Sequence, residues 1–185
     1  MREKDLEIRR TIESILENDF PGQGLKNYFA GLPDKKIRKA ISILSGMYPD
    51  KTTVSDDEFS FILYMFSDMK FMKEESFSAF VFAINILNFT ERQKGFLRNV
   101  VTNNIEILCD KGNFELNPLL VSLFEPNELL QYLDELTRKG TRAVLHHVYH
   151  LLLYENLGGS DEKIEDLKHK SRPELWVLQP SVKVR

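Results

Sequence analysis

The stretch of this chain whose residue types come nearest to chemistry is His146-His147-Val148-Tyr149-His150. His146 and His150 stand four apart, a spacing at which two imidazoles on one helix face can share a metal ion. No glutamate occupies the place where a helical zinc hydrolase keeps its base, so a third ligand would have to come from another helix. With Val144 set at zero, Val144, Leu145, Val148, Tyr149, Leu151 and Leu152 fall within an arc from about 340° to about 140°. His146 falls at about 200°, His150 at about 240° and His147 at about 300° on the same wheel. All three histidines therefore face away from the apolar stripe. The pattern predicts a polar, partner-facing histidine patch, with no metal and no cofactor.

Carboxylate pairs are plentiful: Asp56-Asp57-Glu58, Glu74-Glu75, Asp134-Glu135, and Asp161-Glu162 with Glu165-Asp166. Neighbours on a helix point about 100° apart, so such pairs make poor acid–base couples, and most sit at helix starts where they complement the dipole. Glu125, Glu128 and Glu135 are not explained that way. Glu128 and Glu135 lie seven apart and share a face, so with Glu125, Asp134, His147 and His150 they outline an acidic strip that would suit a basic partner.

Other chemistry is missing. There is no Gly-x-Ser-x-Gly, no Ser-x-x-Lys and no histidine near Cys109, so no catalytic residue is expected and the chain reads as non-enzymatic. As the sole cysteine, Cys109 rules out an intramolecular disulfide and reads as a small buried apolar side chain beside Ile107 and Leu108. Gly22-Gln23-Gly24 follows no strand and precedes no Gly-Lys-Ser/Thr, so it reads as a turn rather than a phosphate loop. The basic runs Lys35-Lys36…Arg38-Lys39 and Lys168…Lys170…Arg172 read as solvated faces. The chain carries 25 Lys and Arg against 28 Asp and Glu, a formal charge of -3, so direct nucleic-acid binding is not expected.

The elements that must position these residues are helices. Apolar residues recur at helical spacing over Arg2–Asn18, Leu25–Leu32, Pro33–Met47, Ser55–Lys70, Lys73–Phe89 and Thr90–Gly112. Further helices are predicted at Leu119–Phe124, Glu128–Lys139, Arg142–Asn156 and Asp161–Lys170. Ser55 with Glu58, and Thr90 with Gln93, form capping boxes. Glu174–Leu178, between Pro173 and Pro180, reads as an extended C-terminal segment. Eight of thirteen phenylalanines lie between Phe59 and Phe89, which marks that hairpin as the core. The apolar run Phe77–Phe89 is short of the roughly 20 residues a membrane span needs, and the N-terminus lacks a signal-peptide core. A cytoplasmic address without membrane attachment is expected.

An all-α protein follows, built of antiparallel hairpins as a HEAT-like right-handed superhelix or an irregular bundle. One all-α domain is expected over residues 1–159, with 160–185 as a helix and tail packed on it. Leu32-Pro33-Asp34-Lys35-Lys36-Ile37-Arg38-Lys39-Ala40 resembles the opening of a HEAT repeat, and the resemblance covers this nonapeptide alone. In size, mild acidity and absence of chemistry, the whole chain resembles the helical immunity proteins of bacterial contact-dependent growth inhibition systems. That resemblance implies a cognate protein toxin domain as partner and carries over no individual residue. A HEAT-like scaffold or adaptor is the alternative, and a helical metalloprotein or hydrolase on the His146–His150 face is the third.

Overall fold

A computed structural model of the chain describes residues 3–47, 53–68, 74–110 and 114–172. Within them run eleven helices: α1 (Glu3–Leu16), α2 (Pro21–Gly31), α3 (Asp34–Ser45), α4 (Asp56–Ser67), α5 (Glu74–Ile84), α6 (Glu91–Asn103), α7 (Ile105–Asp110), α8 (Leu116–Leu123), α9 (Pro126–Lys139), α10 (Arg142–Tyr154) and α11 (Asp161–Lys170). The protein is all-α. Among the described residues there is no strand, and an isolated bridge joins Thr53 to Asn88. The extended segment expected at Glu174–Leu178 lies outside the described residues.

Two starts behave as their residues require. The Ser55 hydroxyl accepts the Glu58 N–H, while the Glu58 carboxylate accepts the Ser55 N–H at 3.0 Å, so each satisfies an orphan donor of α4. Thr90 and Gln93 repeat the exchange at α6, and the buried Gln93 amide also donates to the Val54 carbonyl at 3.0 Å.

Other boundaries differ from expectation. Gly22-Gln23-Gly24 is not a turn but lies inside α2, whose first residue is Pro21. Both glycines are there because neighbours come close. A Cβ on Gly22 would stand 2.0 Å from the Asp57 carbonyl oxygen, and one on Gly24 would stand 2.7 Å from Ile15 Cγ2. α9 begins at Pro126, two residues ahead of the expected Glu128. α5 stops at Ile84, and the helix expected to run from Thr90 towards Gly112 is broken at Asn104 into α6 and α7.

The described residues fall into two compact units, Met1–Asn103 and Asn104–Arg185. In the first, α1 packs on α3 and α3 on α5, while α2 packs on α4 and α4 on α6. Odd and even helices thus make two stacked rows, the arrangement of helical-hairpin repeats. The rows are joined by aromatic packing: Phe66 of α4 meets Phe77 and Phe80 of α5 edge-on, at 5.6 and 5.4 Å between centroids. Five of the phenylalanines expected in this core, Phe59, Phe61, Phe66, Phe77 and Phe80, are buried, whereas Phe82 is 63% exposed. The second unit is organised differently. α9, α10 and α11 pack on one another, α7 packs on α10, and α8 on α9. It is a small bundle rather than two rows, and α11 belongs to it.

Candidate functional site

α10 is the centre of the second unit, covered by α7, α9 and α11. Its buried residues are Val144, Leu145, His147, Val148, Leu151 and Leu152, while Tyr149 is half-buried. The buried arc is therefore rotated by about 40° from the one hydropathy alone predicts, towards His147 and away from Tyr149. His147 is 3% exposed, so the expectation that it faces a partner is corrected. The wheel measures polarity, whereas the arc is set by where α7 and Phe114 lie. His146 is exposed and His150 half-buried.

One ring organises the three histidines. Phe114 stacks on His150 with centroids 3.7 Å apart and planes 16° from parallel. It lies 5.8 Å from His147 at 10°, and meets His146 edge-on at 5.4 Å. The Tyr154 ring lies 4.4 Å from that of His150, tilted by 41°. Asn117, fully buried in the first turn of α8, places its amide nitrogen 3.2 Å from His150 Nδ1. Among the described residues, neither ring nitrogen of His147 and not the Asn117 Oδ1 has a hydrogen-bond partner. Burial pushes His147 down to about 4, helped by His150 and His146. Burial also lowers His150, with His146 acting in the same sense and Glu155 opposing.

The acidic residues of α9 are arranged as their spacing implies, with one exception. Glu125, Glu128 and Glu135 are all exposed. Glu125 precedes the helix, and its N–H donates to the Glu128 carboxylate at 3.4 Å. Asp134 stands about 120° round α9 from the Glu128–Glu135 line. There it accepts from Arg138 of its own helix and from Lys170 of α11 at 3.2 Å. Desolvation pushes Asp134 up, but Lys170 and Arg138 together outweigh it and hold the carboxyl below its ordinary range. Its role is to tie α11 to α9. Between Glu128 and Glu135 lies Tyr132, half-buried, its ring stacked on Phe124 at 5.2 Å and 11°. Burial raises the Tyr132 phenol, with Cys109 and Glu135 adding to it. Cys109 is a buried free thiol, as its apolar neighbours imply, and is pushed up to about 12 by burial and then by Glu106. The exposed carboxylates of Glu106 and Glu135 thus reach one neighbourhood from α7 and α9.

Phe114, Asn117, Phe124 and Tyr132 were not legible as site residues, because each reads as a loop or core position until α8 and α9 are in place. Among the described residues, no group of three or more His, Cys, Asp or Glu is placed to hold a metal ion. No described helix is long and apolar enough to cross a membrane. In the first unit, a crevice between α3, α4 and α5, lined by Leu44, Phe61, Ile62, Phe80 and Ile84, encloses about 40 Å³, room for a water or two and not for a substrate. No family model, no curated protein and no solved structure matches the chain.

Proposed function

We propose that this chain is a non-enzymatic immunity protein that binds a basic toxin domain, such as a nuclease, through the exposed face of α9. The observation that carries the reading is the line Glu125, Glu128 and Glu135, which flanks the partly exposed Phe124–Tyr132 stack. Carboxylates around a stacked aromatic pair match an arginine-bearing surface, since guanidinium both pairs with carboxylate and stacks on rings. Charge placement supports it further. Residues 1–103 are formally neutral, so the whole charge of -3 belongs to residues 104–185. Between Asn104 and Thr137 stand seven carboxylates and one lysine. A nuclease must hold phosphates with Lys and Arg, and such a domain is drawn to a clustered acidic face faster than by chance encounter.

The test is co-expression with the toxin domain encoded next to this chain. Growth should be rescued, and the two purified proteins should form a stoichiometric complex. A soluble, folded chain that neither rescues growth nor binds that domain would reject the proposal. A scaffold or adaptor role is the second reading, supported by the two-row stacking of α1 to α6, which presents repeat-like surfaces to a partner. It predicts binding that survives removal of the α9 charges.

A further inference from the structure

The start of α8 is held to α10 by side chains of an unusual kind. A position enclosed by helices ordinarily takes an apolar residue, yet here the contact is made by imidazoles and an amide. Phe114 touches the rings of His146, His147 and His150 together, and Asn117 reaches His150 Nδ1. Three buried polar atoms, both His147 nitrogens and Asn117 Oδ1, go without a partner among the described residues. Each such atom costs stability that a leucine of similar size would not. What distinguishes this packing from an apolar one is that it holds only while the rings are neutral.

Protonation acts against it in three ways. A proton on His147 places a charge on a ring that is 3% exposed and that, among the described residues, has no counter-ion acting on it. A proton on His150 Nδ1 removes the acceptor that faces the Asn117 amide nitrogen. Charges on His146 and His150 repel one another across one helical turn. The groups that act on the cluster offer little relief. Among the described residues, on His147 they are His150 and His146, and on His150 they are His146 and Glu155; none comes from α7, α9 or α11, the helices packed on α10. Among the described residues Glu155 alone favours a charge, and it acts on His150 and not on His147.

We propose that Phe114, Asn117 and the histidines of α10 form an acid-released latch, which holds the start of α8 against α10 at neutral pH and frees it when the cluster takes up protons. Only this junction opens; the rest of the second unit and the first unit keep their packing. The latch is independent of the partner, so it stands or falls apart from the immunity reading.

Hydrogen–deuterium exchange on the full-length chain tests it, at about pH 7.5 and about pH 5, with rates corrected for intrinsic chemistry. Peptides from the start of α8 should exchange about tenfold faster at the lower pH, while those from α9 and α11 and from α2 and α4 should not change. In His147→Leu that acceleration should fall to less than about half. Should that variant fail to fold, His150→Gln, at a half-buried position, gives the same readout. Equal corrected rates at both pH values would overturn the latch. So would acceleration spread evenly over both units, which is ordinary acid unfolding, or an acceleration that the variants leave unchanged.

Discussion

At the scale of single residues, the second unit holds two titrating groups, an imidazole and a carboxyl, that both weaken the fold as pH falls. His147 is an imidazole held neutral: its ordinary value of 6.5 is lowered to about 4 by burial, then by His150 and His146. The unfolded chain therefore binds its proton first. Stability is full above pH 6.5 and is lost as pH falls towards about 4, by about 3 kcal/mol in all. Urea unfolding followed by the far-ultraviolet signal at a series of pH values should show this slope, and His147→Leu should flatten it. Asp134 has the same sign, although here it is the charged form that the fold favours. Its carboxyl is held below its ordinary range, so its contribution is present at neutral pH and fades as acid protonates it. Because the pair with Lys170 is exposed, Asp134→Asn should cost no more than about 1 kcal/mol, measured by thermal melting. The histidine run itself was legible in the sequence, but its allocation was not. Hydropathy puts His147 with the polar face, and only the lie of α7 and Phe114 across α10 reverses that. Asn117 carried no signal at all, since an Asn before a proline at a helix start reads as a cap.

Among elements, the starts of helices were legible because caps are local chemistry. Ser55 and Glu58 satisfy each other whatever the rest of the chain does, so Ser55→Ala should lower stability by about 1 kcal/mol and move the melting midpoint by a few degrees. Gly22-Gln23-Gly24 reads as a turn, although Pro21 at a first helical position and glycine under a close neighbour fit a helix start equally well. Which applies depends on Asp57, thirty-five residues away, whose side chain accepts the Gly22 N–H and whose carbonyl fills the place of a Cβ. The obstacle is backbone, which cannot rotate aside. Gly22→Ala should therefore destabilise by about 2–3 kcal/mol, well beyond the small gain an alanine brings inside a helix. The break between α6 and α7 was illegible for a different reason. Val101, Ile105 and Leu108 keep helical spacing through Asn104, so the pattern carries no mark of the interruption.

For the whole molecule, the alternatives of repeat array and irregular bundle each describe one unit, and charge divides along the same line. The first unit is formally neutral and the second carries all of -3, which separates two effects that usually travel together, net charge and charge placement. Reversing Glu128 and Glu135 to lysine adds four charges and takes the chain from -3 to +1. Reversing Glu7 and Glu17, both exposed on or beside α1, makes the same change of net charge in the other unit. If bulk acidity steers the toxin domain, the two double variants should associate equally slowly. If the α9 face does, the first should lose about tenfold or more in association rate and most of its salt dependence, with little change in melting temperature, while the second stays within about twofold of the parent. Stopped-flow association at two ionic strengths distinguishes them, because screening acts on steering charges and leaves packing contacts nearly untouched. Equal rates for the parent and the α9 variant would remove the acidic face from the mechanism, and the two-row surface of α1 to α6 would become the place to look for the partner.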